Sequence, residues 1–309
     1  MERRVFFKGF VAALAAVGGP GAAAPPADAG DQQGRNPATC RRPYHPQTRV
    51  CSFSHVNTTT GLQMPLRDIA AITGPKGILL VCDGAQAPGM LDVSVTALKV
   101  DAYASSSHKW ILAPKGCGLL YVREAVQDRI KPIAAYAEKG GSQYGPYTGA
   151  TGTQNVPQLL ARGDAMDFHT LFGKPRVEAR LRQLNTYLRQ HLRALPQLVP
   201  LTPEEPELSS AMAAYRVQGS TPTYIYNELA KRRIIVKHGS YNWVLPGNVD
   251  LPHETVETLR FSTHLFNDEV QVDQLVEAIA EILGVKTSVG METRTGAALA
   301  NHPQEPAHA

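Results

Sequence analysis

The chain has 309 residues, 43% of them hydrophobic and 19% charged, a composition that suits a soluble globular enzyme with a large core and room for two lobes. Its net charge of +4 is too small, and its basic residues too scattered, to indicate a nucleic-acid partner. The sequence has no internal repeat, and its ten histidines show no metal-ligand spacing.

Residues 1–29 read as an address rather than as fold. Arg3-Arg4-Val5-Phe6-Phe7-Lys8 resembles the twin-arginine export consensus, an apolar run over residues 10–17 follows, and the small residues Ala22-Ala23-Ala24 and Ala27-Asp28-Ala29 suit a signal peptidase. The apolar run is too short to span a bilayer, which needs roughly 20 residues. The expectation is a periplasmic or secreted mature chain with no membrane anchor after cleavage. Residues 30–47, rich in Gly, Pro, Gln and Arg, read as linker.

The elements then follow in order. A strand is predicted over 49–54, and a helix over 66–72 that stops at Gly74-Pro75. Residues 77–82 form the continuous apolar run expected of a parallel strand buried on both faces. A short helix over 93–98 leads to strands over 101–105 and 116–122. The Gly-, Tyr- and Thr-rich stretch 139–153 reads as a functional loop. Its Tyr144 and Tyr147 either line a substrate mouth or pack the loop, packing being the commoner role.

Helices are predicted over 155–171 and 174–195, with Pro175 suited to a first turn. After an acidic loop at 202–207 come a strand over 211–217, a helix over 222–231, strands over 233–237 and 257–263, and a helix over 268–283. Residues 286–309 read as a disordered tail. Of the four cysteines, Cys82 and Cys117 lie in apolar runs and read as buried small hydrophobes, whereas Cys40 and Cys51 flank a Pro-rich stretch where a bridge is conceivable.

Two runs carry chemistry. Val81-Cys82-Asp83-Gly84-Ala85-Gln86 ends one apolar strand, and Ser105-Ser106-Ser107-His108-Lys109-Trp110 ends the next. Taken singly, each reads as a turn or a solvated loop. Together they suit an aldehyde cofactor joined to a lysine amine as a Schiff base. Pyridoxal phosphate (PLP) draws electrons from a substrate carbon best when its ring nitrogen is protonated, a state that a facing carboxylate such as Asp83 favours. Ser106, His108 and the local backbone offer donors for a phosphate. In open α/β sheets, ligands sit beyond the carboxyl ends of the strands, where both runs fall.

On these residues, the segment 48–283 resembles the class V aminotransferase family of fold-type I PLP-dependent enzymes, and within it the isopenicillin-N epimerase-like branch. Ser54-His55-Val56-Asn57-Thr58-Thr59-Thr60-Gly61 is similar to the strand and turn that precede the aspartate motif there. The resemblance implies an α/β fold: a PLP-transferase-like large domain over 48–172 with a mostly parallel sheet, an interdomain helix over 173–200, and a small α+β C-terminal domain over 201–285.

It further implies Asp83 on the pyridinium, Gln86 on the phenolic oxygen, Ser106 and His108 on the phosphate, and Lys109 as the Schiff-base and proton-transfer residue. Thr153 of Gly152-Thr153 would reach a phosphate across a homodimer interface. Arg260, in Leu259-Arg260-Phe261-Ser262, would grip the carboxylate of an amino-acid substrate, for which a guanidinium offers two parallel donors.

Departures from the family pattern bear on activity. Relatives carry a longer segment before the Ser-His-Val strand, so the large domain is expected to be N-terminally incomplete and activity weak or absent in the chain alone. Where relatives often place an asparagine near the cofactor oxygen, this chain has Thr58. No cysteine follows Cys117, which argues against sulfur transfer to a late thiolate. Epimerisation needs a second base, for which His55, His238 and Tyr241 are candidates. The expected function is transamination or epimerisation at an amino-acid α-carbon. The alternatives are a non-catalytic remnant and an amino-acid-binding module.

Overall fold

Residues 48–130, 155–243 and 254–286 are described by the computed structural model. They fall into two units. The first takes the chain to Thr58, then Gln63–Pro175 and Asn242–Val256. The second takes Thr59–Leu62, Arg176–Tyr241 and the chain from Glu257 onward.

The first unit is organised by a mixed sheet of β1 (Val50–Ser54), β2 (Leu79–Asp83), β3 (Ala102–Ser106) and β4 (Gly118–Val122), adjacent in that order. The first three strands run parallel, and β4 returns antiparallel to β3. The apolar run of β2 is buried as expected: Leu80 and Cys82 are each 1% exposed. The amino end of the sheet is tied by Asp101. Its carboxylate accepts from the Leu80 N–H at 2.8 Å and pairs with the Arg123 guanidinium.

Helix α1 (Leu66–Thr73) buries Leu66, Ile69, Ala70 and Thr73, a stripe at helical spacing, and packs on β2. Helix α2 (Val95–Leu98) is capped by Ser94, whose Oγ accepts from the Ala97 N–H. Helix α3 (Val156–Phe172) is capped in the same way by Asn155, with Pro157 in its first turn.

The second sheet, in the order β5-β6-β8-β7, is built from β5 (Leu198–Pro200), β6 (Met212–Val217), β7 (Lys237–Trp243) and β8 (Glu254–Ser262), most of it in the second unit. With it go helices α4 (Lys174–Leu192), α5 (Pro222–Lys231) and α6 (Glu269–Leu283). On α4, Val177, Leu181, Leu184, Leu188 and Leu192 form one buried stripe. Leu188 and Leu192 join Ile225, Leu229, Leu259, Val276 and Ile279 in the core. Each such leucine contributes about 1.5–3 kcal/mol by leaving water. The Arg180 guanidinium donates to both carboxylate oxygens of Glu269, at 2.7 and 3.1 Å, and Tyr187 Oη donates to Asp273 at 2.9 Å, so α4 is also bound to α6 by polar contacts.

The predicted strand over 233–237 is displaced: the ladder begins at Lys237. Arg233 turns left-handed at φ 61°, and the N–H groups of Arg233 and Ile234 bond back to Ala230 and Leu229. The apolar Ile234-Ile235-Val236 is therefore the exit of α5, and Ile235 is 92% exposed. Strand β5 was not expected, because three residues carry no periodicity.

Cys51 is a free buried thiol, as are Cys82 and Cys117. The export segment, the linker with Cys40, the 139–153 loop with Tyr144, Tyr147 and Thr153, and the tail from 287 lie outside the described residues. Among the described residues, no helix is long and apolar enough to cross a membrane, and no cluster of His, Cys, Asp and Glu is arranged to hold a metal.

Candidate active site at the carboxyl edge of the sheet

Parallel pairing brings the carboxyl ends of β1, β2 and β3 to one edge, with Ser54 opposite Asp83 and Asp83 opposite Ala104. Asp83 closes β2, and its Oδ1 accepts from the Ala85 N–H at 2.8 Å, an Asx turn that swings the chain off the sheet. Gly84 is required there. A Cβ at Gly84 would lie 2.0 Å from the Tyr103 ring. Ser105 Oγ donates to the Gly84 carbonyl at 3.0 Å, and the Gly84 N–H donates to Ala104 at 2.7 Å. The turn that carries Asp83 is thus bound to the strand that leads to Lys109.

Beyond β3 the chain folds into a tight turn. The Ser107 N–H donates to Cys117, the Ala113 N–H to Ser107 and the Leu112 N–H to Lys109. Leu112 is left-handed at φ 65°, rare for a branched apolar residue. His108 and Lys109 are exposed, whereas Trp110 is 5% exposed. The Trp110 Nε1–H donates to Gln86 Oε1 at 2.9 Å, and Gln86 Nε2 donates to Thr58 Oγ1 at 3.0 Å. The two runs singled out in the sequence are therefore joined through side chains.

His169, buried on α3, lies against the backbone of Trp110 and Ile111. Burial holds its imidazole below the ordinary histidine range, and those backbone groups offset only part of the effect.

A second polar pair underlies the edge. His55 Nδ1 and Tyr103 Oη are 2.9 Å apart, with the rings edge-on. Burial, then the neighbouring Cys82 and Asp83, push the Tyr103 hydroxyl far above the ordinary tyrosine range. Burial, then Asp83, push the Cys82 thiol up to about 12. Both groups therefore stay protonated at neutral pH.

Asp83, Gln86, Ser106, His108 and Lys109 all come to this edge. Ser106 Oγ, like the adjacent Ser107 Oγ, is buried with no hydrogen-bond partner among the described residues, which leaves donors at this turn that a phosphate could take up. An anion, a carboxamide, a spare hydroxyl and a primary amine fit a pyridine aldehyde phosphate. Arg260 lies in β8 of the second unit, opposite Ala214 of β6.

His55 is 3% exposed, with Nδ1 engaged by Tyr103 Oη. His238 lies in the second unit against Tyr226, with ring centroids 4.4 Å apart. The sequence reading missed Trp110, Tyr103, Ser105 and His169. The only signal for Trp110 was its place next to Lys109.

The architecture is that of the fold-type I PLP-dependent enzymes. It matches the apo cysteine desulfurase of Thermococcus onnurineus with a TM-score of 0.65 at 21% identity, over 76% of this chain and 60% of that one. It also matches a C-DES variant with glycine covalently linked to its PLP cofactor, at a TM-score of 0.64 and 23% identity, over 77% and 62%.

The chain belongs to the class-V aminotransferase family, whose profile matches residues 18–275, and the family's cofactor is PLP. It is 34% identical to the isopenicillin N epimerase of Amycolatopsis lactamdurans over 254 residues, covering 77% of this chain and 61% of that protein. It is 30% identical to the cysteine desulfurase IscS of an Anaeromyxobacter strain over 269 residues, covering 81% and 62%. The chain thus spans about three fifths of the length of these relatives, 61% and 62%.

Proposed function

We propose that this chain is a PLP-dependent enzyme acting at the α-carbon of an amino acid, by epimerisation or transamination. The observation that supports it best is the joined pair of strand exits: Asp83 ends β2, Lys109 follows β3, and Gln86 and Trp110 bond across them. PLP, when bound, supplies an electron sink for the bond broken at the substrate α-carbon.

The chain's own residues do the rest. Lys109 Nζ would hold the cofactor covalently and, once the substrate amine had displaced it and left it as a free amine, would take and return the α-proton. The Asp83 carboxylate favours a protonated ring nitrogen. Ser106 Oγ and His108 would donate to the phosphate, and Gln86 Nε2 would donate to the ring oxygen. The family resemblance gives Arg260 the substrate carboxylate and Thr153 the neighbouring site of a homodimer. The epimerase likeness and the lack of any cysteine after Cys117 favour these reactions over sulfur transfer, which needs an acceptor thiolate. The Arg3-Arg4 segment adds export by the twin-arginine route, to the periplasm or beyond the cell.

The test uses the full chain with added PLP. A visible band that borohydride removes, with the label mapped to Lys109, supports the reading. Solvent deuterium entering the α-position of a panel of L- and D-amino acids then identifies the substrate. No band at saturating PLP overturns it.

A further inference from the structure

We infer that Trp110 is a positioning residue that fixes which end of the Gln86 carboxamide faces the cofactor. The inference rests on the PLP reading above and adds a constraint on the form in which the ring oxygen is bound.

The argument is one of donor and acceptor types. An indole N–H donates and cannot accept. The Gln86 atom that meets Trp110 Nε1 at 2.9 Å must therefore be the carbonyl oxygen. The amide nitrogen is thereby sent to the other side, where it donates to Thr58 Oγ1 at 3.0 Å. A primary amide carries two N–H bonds, so one remains for a ligand oxygen. Thr58 cannot set this orientation alone, because a hydroxyl meets either end of a carboxamide equally well. Trp110 can, because the residue is 5% exposed and its main chain is held against Gly89, where a Cβ would come within 2.4 Å.

The consequence is selective. Gln86 presents a donor to the ligand and never an acceptor, which favours an ionised ring oxygen over a protonated one. The residue next to Lys109 enforces that choice, so the turn that carries the amine also orients the donor on the neighbouring turn.

Two arms test this. Without cofactor, Gln86→Leu should shift the indole N–H resonance that Trp110→Phe removes, and should speed its exchange with solvent. With PLP, Gln86→Leu and Trp110→Phe should each weaken cofactor binding about fivefold, the worth of one neutral hydrogen bond. Each should also raise the pH midpoint of the visible band, and the double variant should go no further than Gln86→Leu. Thr58→Val, at an exposed position, should move the midpoint the same way by less.

If Trp110→Phe does not fold, Gln86→Glu decides. Its carboxylate keeps the indole contact but offers no N–H, so the midpoint should rise at least as far as in Gln86→Leu. An indole resonance indifferent to Gln86→Leu overturns the inference. So does a folded Trp110→Phe, or Gln86→Glu, with the wild-type midpoint. A wild-type chain with no visible band overturns the cofactor reading instead, and the indole arm still decides the orientation of Gln86.

Discussion

Gly89 lies against the main chain of Trp110 so closely that a Cβ on it would meet the Trp110 carbonyl carbon and oxygen at 2.4 Å. Backbone atoms cannot step aside as a flexible side chain would. Gly89 also sits at φ 89°, where any other residue is strained. Gly89→Ala is expected to cost at least about 2 kcal/mol, of which the conformation alone accounts for about 1–3. Thermal unfolding of the chain without cofactor would show it as a lowered midpoint.

Lys109→Ala should separate chemistry from fold. The side chain is exposed, so stability should change by no more than about 0.5 kcal/mol. The borohydride-sensitive band should vanish completely. Denaturant unfolding and absorbance on one preparation measure both, and a variant that keeps the band shows that another amine holds the cofactor.

Tyr103→Phe removes one hydroxyl and leaves the ring that Gly84 packs against. Both partners of the 2.9 Å contact to His55 are buried, so the loss should cost about 1–3 kcal/mol. Urea unfolding gives the value. The Lys109 label should be unaffected, because the hydroxyl is engaged with His55.

The imidazole of His169 gives the first unit an acid limb. It is neutral in the folded chain because burial lowers its pKa, whereas in the unfolded chain it takes a proton near the ordinary value of 6.5. Below that value the unfolded state binds more protons than the folded one, so stability rises with pH through this window. The contribution is complete above 6.5 and is lost as pH falls through the depressed folded value. His169→Gln should flatten this part of the pH–stability curve, measured by denaturant midpoints between pH 5 and pH 8.

The site was readable where chemistry coincides with a strand end. Asp83 and Lys109 each close an apolar run, and such runs are visible without coordinates. The bond between Gln86 and Trp110 was not, because it joins positions 24 apart and needs the pairing of β2 with β3 to bring them together. His169 was hidden for a related reason: it is the one residue of α3 that tertiary packing buries, and no apolar stripe on that helix marks its face. The displaced strand β7 shows the converse failure. Ile234-Ile235-Val236 has strand composition, but the left-handed turn at Arg233 spends it on leaving a helix.

The buried thiol of Cys82, pushed up to about 12, makes β2 its own reporter. Only the thiolate reacts with alkylating reagents, so this position is silent in the native chain and is modified when the parallel strands separate. Peptide-resolved alkylation over time would clock the opening of the very strand that ends in Asp83, with no added dye, and a bound ligand that grips the edge would slow that clock.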